Sequence, residues 1–170
     1  MNAQQLADQL NEFKQKAIDT ANTYHQMAKV AAKKLIKEFG LENAQYYTKE
    51  AEKRERIYGA FEVRSYSSSD PYDTVEFNGT RFTASYEYND ACNCHPEYRT
   101  WEISLPIEWL DLEGDALRAA INERLDVIEK KLRAEFEADA KKKAEEEQKA
   151  DEAARKERET YESLKAKYEK

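Results

Sequence analysis

The amino-acid sequence predicts an α+β fold: a four-stranded antiparallel β-meander flanked by two long helices, elongated, with coiled-coil-like helical extensions. Three observations lead there. Apolar residues recur at steps of three and four towards both ends of the chain. In the middle they alternate with polar residues instead. Charged residues make up 37% of the 170 positions, against only 4 Gly and 3 Pro. So much charge must lie on surface, and a compact sphere of this size offers too little of it, whereas helices rich in Ala, Glu, Lys and Arg supply it readily.

Residues 2–39 read as one helix. Leu6, Leu10, Phe13, Ala17, Ala21, Tyr24, Ala28, Ala31, Leu35 and Phe39 form a single apolar stripe. Gly40 is its natural stop, with Leu41 placed to make the apolar contact that accompanies such a cap. Residues 42–56 read as helical again, with Tyr46, Tyr47 and Ala51 on one side and Lys53, Arg54 and Arg56 towards the end.

From Ile57 the period changes to alternation. A first strand is expected around Phe61 and Val63, followed by a turn at Ser67-Ser68-Ser69-Asp70-Pro71. Val75 and Phe77 begin a second strand, Asn78-Gly79 is a hairpin signal for a type I′ turn, and Phe82, Ala84, Tyr86 and Tyr88 share one face of the return strand. A loop spans Asn89 to Pro96, and Trp101, Ile103 and Leu105 mark the fourth strand. The dense apolar patch from Pro106 to Leu112 is expected to fold back over the apolar sheet face. A helix then starts near Asp111 or Asp115, with Leu117, Ile121, Leu125, Ile128, Leu132 and Phe136 as its stripe. Beyond Phe136 the only apolar residues up to position 160 are alanines, among acid-before-base pairs at i,i+4 such as Glu137–Lys141 and Asp151–Arg155. Tyr161, Leu164 and Tyr168 restore a short stripe. The pattern thus divides the chain into a helical segment (1–56), a core of sheet plus covering helix (57–136) and a charged solvated tail (137–170).

A net charge of −7, spread without a basic patch, argues against direct nucleic-acid binding or an anionic membrane as partner. No apolar run approaches a membrane span or a secretory signal, and 2 Cys make no disulfide framework. The expected location is cytoplasmic. Catalysis has little to draw on. There is no phosphate-cradling Gly-rich loop and no nucleophile elbow, and neighbouring Cys94 and His95 do not form a nucleophile–base pair. No cofactor is expected. Cys92, Cys94 and His95 are weak metal candidates, because zinc wants four ligands and this loop offers three within four residues.

The reading that remains is a non-enzymatic, oligomeric protein-binding module. A helix of this length outruns a sheet of short strands, so part of its stripe needs another partner. Leu6, Leu10, Phe13, Ala17, Tyr24 and Leu35 are the oligomerisation candidates, in a homo-oligomer. Tyr161, Leu164 and Tyr168 are the candidates for an unidentified protein partner. A small, charged, Tyr-rich chain of this kind is common among accessory proteins of phages and mobile elements, which bind and block a larger host machine. An acidic mimic of nucleic acid and a zinc-binding protein are the alternatives.

Overall fold

Helix α1 (Ala3–Glu38) begins at a capping box. The Asn2 side chain accepts from the Gln5 amide at 2.8 Å, and the Gln5 side chain accepts from the Asn2 amide at 2.9 Å. It ends as Gly40 and Leu41 predict. Gly40 takes a φ of 66°. Its amide donates to Lys37 and that of Leu41 to Ile36, closing a Schellman motif in which Leu41 and Ile36 are both buried.

These coordinates come from a computed structural model that describes residues 2–63, 72–89 and 98–168. The fold is α+β, with helices α1, α2 (Lys49–Ala60) and α3 (Gly114–Tyr168) and strands β1 (Thr74–Asn78), β2 (Arg81–Asn89) and β3 (Tyr98–Pro106). A 3₁₀ helix covers Ile107–Asp111. The four strands and two long helices expected from sequence are therefore corrected to three strands and three helices among the described residues.

The correction lies at residues 42–63. Thr48 is the N-cap of α2, its hydroxyl accepting from the Ala51 amide at 3.2 Å. The helix thus starts at Lys49, beyond Tyr47, whose φ is 66°. It continues through Ile57 to Ala60, where a strand was expected. Ile57 and Phe61 are both fully buried at a spacing of four, a helical spacing that short alternation disguised. Val63 is buried because it is the residue after a second Schellman turn: its amide donates to Tyr58 and that of Glu62 to Gly59. The predicted turn at 67–71 lies outside the described residues.

The sheet has the order β1–β2–β3, antiparallel throughout. Its register places Phe77 opposite Phe82, Phe82 opposite Leu105, Ala84 opposite Ile103 and Tyr86 opposite Trp101. One face therefore carries the buried Phe82, Ala84, Tyr86, Ile103 and Leu105, as the alternation predicted. The hairpin differs in detail. Asn78 pairs with Arg81, so the two-residue loop is Gly79-Thr80, and of the two only Gly79 has positive φ (60°). That is the type II′ pattern, with Gly first, and not type I′. The apolar patch after β3 does fold back, burying Trp109 and Leu110. α3 starts at Gly114, so Asp111 closes the 3₁₀ helix and Asp115 sits within the first turn of α3.

The chain forms two compact units, residues 1–129 and 130–170. The first holds the sheet, α1, α2 and the start of α3. Its core joins Ala17, Ala21, Tyr24, Ala28, Ala32 and Leu35 of α1 to the apolar sheet face, with Ile121 and Leu125 buried on α3. The second unit is the remainder of α3. Leu132 and Phe136 are buried, and from 137 onward every described side chain is exposed. No described helix is long and apolar enough to cross a membrane.

Candidate functional site

The stripe of α1 changes character along its length. From Ala17 to Ile36 its apolar side chains are buried, Ala31 and Met27 being half-buried and Val30 exposed. Before Ala17, Leu6 is 57% exposed, Leu10 49% and Phe13 39%. Phe13 is the hinge between the two regimes. Its ring stacks on Phe77 of β1, centroids 4.9 Å apart, and Phe77 in turn leans on the buried Phe82 at 6.4 Å. An apolar strip thus starts at the core and runs out along more than two turns of helix with nothing of the described chain over it. The flanks are polar and preordered: Gln4 donates to Asp8 at 2.9 Å and Gln15 to Asp19 at 3.0 Å.

The six oligomerisation candidates therefore divide. Leu6, Leu10 and Phe13 are presented to solvent. Ala17, Tyr24 and Leu35 are inside the chain's own core. The partner-binding candidates Tyr161, Leu164 and Tyr168 are all exposed on α3. The tail they end carries ten acids and nine bases over 137–168, close to neutral. Ion pairs there include Lys142–Glu146 at 4.0 Å, Lys143–Glu147 at 3.7 Å and Arg155–Glu159 at 3.6 Å. These are base-before-acid, the weaker order, and fully in water they add only tenths of a kcal/mol each.

A second cluster was not legible as a site. Arg124 of α3 donates to Glu62 at 2.5 Å and to the Ser104 carbonyl at 3.3 Å. Its guanidinium lies 5.1 Å from the Tyr24 ring centroid and 5.9 Å from that of Trp109. The Tyr24 hydroxyl donates to the Phe61 carbonyl at 3.3 Å, with Glu62 at 3.5 Å. Burial pushes the Tyr24 hydroxyl well above the usual tyrosine range, offset in part by Arg124. A phenol held protonated between a carbonyl and a paired carboxylate is a fixed donor, so the cluster clasps the end of α2 to α1, α3 and β3. Only the Arg124–Glu62 pairing at 62 residues' separation reveals it, and nothing in local sequence signals such a contact.

Glu62 holds this position at φ 56°, in the left-handed region that favours glycine. Two substitutions separate its roles. Glu62→Ala loses the ion pair and keeps the strain; Glu62→Gly loses the pair and relieves the strain. Glu62→Gly should therefore be the more stable of the two by about 1 kcal/mol in urea unfolding. Equal stabilities would show that the left-handed backbone costs nothing here.

His25 is buried against Tyr72, the Tyr72 hydroxyl 3.5 Å from its Nδ1 and the rings edge to face at 5.8 Å. Desolvation, and then the Lys29 ammonium, lower the pKa of His25, while burial pushes Tyr72 up. Both are thus held neutral within an aromatic chain that continues to Tyr86 at 5.4 Å.

Comparison with family models, curated proteins and solved structures returns no match. The surface and its chemistry are therefore the only guides to function. Among the described residues no group of three or more His, Cys, Asp or Glu is placed to hold a metal. Cys92, Cys94 and His95 lie outside the described residues.

Proposed function

We propose that this chain is a non-enzymatic protein-binding module that works as an oligomer and uses the exposed end of α1 as a contact surface. The observation that carries the reading is the Leu6–Leu10–Phe13 strip anchored on Phe77. Side chains of this size left half in water on a rigid helix are what a partner chain covers. Full burial of such a side chain stabilises by about 1.5–3 kcal/mol, and with roughly half already buried each has about 1 kcal/mol left to gain. Three from each of two chains give about 6 kcal/mol, set against an association cost of at least about 4 kcal/mol. The strip therefore supports reversible contact, of the kind a binding module makes and breaks, and tight assembly needs a further surface.

Light scattering at tens of micromolar is expected to give a mass of two or more chains. Leu10→Glu with Phe13→Glu should lower that mass, since two carboxylates would be buried unpaired at the contact. Both positions lie outside the core, so the melting temperature of the chain should change little. A clean monomer for the unsubstituted chain would sink the reading.

A further inference from the structure

We infer that the open groove between α1 and the start of α3 is a two-fold interface that takes the same groove of a second copy of this chain. The inference deepens the oligomeric reading above and rests on its premise that the chain self-associates, but on a different face. The groove encloses about 570 Å³ and lies wholly within residues 1–129. Its floor is apolar: Met27 and Leu125 line it, with Val30, 70% exposed, on its rim. A β-branched aliphatic residue left that far in water beside an apolar channel is a surface awaiting cover.

The α3 wall says what covers it. Arg118, Asn122 and Asp126 all line the groove and follow one another at steps of four, so they stand in a row along one face of the helix. The row reads plus, neutral amide, minus. Among the described residues neither Arg118 nor Asp126 has an ion-pair partner. An antiparallel copy brought up by a two-fold axis through Asn122 places Arg118 against the second copy's acidic end and Asp126 against its basic end, twice over. At the axis, Asn122 meets its own image, and an amide, having both donor and acceptor, pairs with itself. An interface with a two-fold axis must be complementary to itself, and this row is. A foreign helix would have no need of a charge order that inverts about its centre.

Charge reversal tests this without disturbing the fold, because Arg118, Asn122 and Asp126 are exposed. Arg118→Asp alone, or Asp126→Arg alone, should weaken self-association roughly tenfold or more, since each puts like charges together at both ends. The double variant, Arg118→Asp with Asp126→Arg, should restore it. The two single variants mixed in equal amounts should form a mixed pair in which every contact is again opposite in sign, read as heterodimer by native mass spectrometry. Self-association unchanged by either single reversal, or no recovery in the double variant and the mixture, would overturn the inference. Its failure is distinguishable from that of the α1 strip. If Leu10→Glu with Phe13→Glu gives a monomer while the reversals do nothing, the strip stands and the groove falls. If the reversals lower the mass and the strip variant does not, the groove stands and the strip falls. A monomeric unsubstituted chain overturns both.

Discussion

Tyr24→Ala is expected to cost the fold about 3–5 kcal/mol, the range for deleting a large buried aromatic. With whole-domain stabilities of about 5–15 kcal/mol, that is enough to leave a sizeable unfolded fraction at 37 °C. The expectation follows from what the ring touches. Tyr24 is fully buried, packs on Trp109 at 6.2 Å and offers its face to Arg124. Alanine would leave a cavity beside that guanidinium and remove the donor to the Phe61 carbonyl. Tyr24→Phe isolates the last effect. It keeps the ring and should cost about 1–2 kcal/mol, the loss of one buried hydrogen bond. Urea unfolding by circular dichroism reads both. On sequence alone Tyr24 belongs to the same stripe as Leu10, and as an interface residue its loss would dissociate chains and leave the fold intact. A Tyr24→Ala chain that unfolds at the normal urea concentration but runs at lower mass would show that the interface role is correct and the core role is not.

The division of that stripe shows how far sequence reaches. Periodicity identified α1, its stop at Gly40, the hairpin, the inward face of β2 and β3, and every stripe residue of α3. These depend on local repetition, which sequence displays. It did not separate Leu6 from Tyr24, because which turns of a helix are covered depends on where the sheet ends, and that is a tertiary fact. The helix–strand confusion at Ile57 to Val63 has a similar cause. Buried residues at a helix C-terminus and in the turn after it, Ile57, Phe61 and Val63, imitate alternation. Two signals were present and unused: Asn2 with Gln5 is a capping box, and Thr48 is an N-cap, which would have moved the start of α2 to its observed place. The Arg124–Glu62–Tyr24 clasp had no signal at all, since its members come from three distant segments. The Arg118–Asn122–Asp126 row was in the sequence, but its meaning needs the groove it lines.

Truncation after Phe136 should remove more than half of α3 and leave the thermal stability of the remainder within a few degrees. Helical circular dichroism per chain should fall in proportion to the residues removed. The reason is the absence of burial. Leu132 and Phe136 are the last buried apolar side chains of α3, and every described side chain from 137 to 168 is exposed. With no apolar surface withdrawn from water there, no hydrophobic stabilisation is lost when the tail goes. What holds residues 137–168 helical is propensity, through its many alanines, lysines and glutamates, and i,i+4 pairs such as Lys143–Glu147. Such pairs are screened over about 8 Å at physiological ionic strength. The tail's share of the helical signal should therefore fall as salt is raised from 0.01 M to 1 M, while that of the truncated chain stays constant. A tail retained in this state is under no packing constraint, so its exposed Tyr161, Leu164 and Tyr168 are free to meet a partner. Deleting it should lower affinity for any protein that binds there without altering the fold of what remains. A drop of 10 °C or more in the melting temperature on truncation would show instead that the alanine face of the tail is packed against protein.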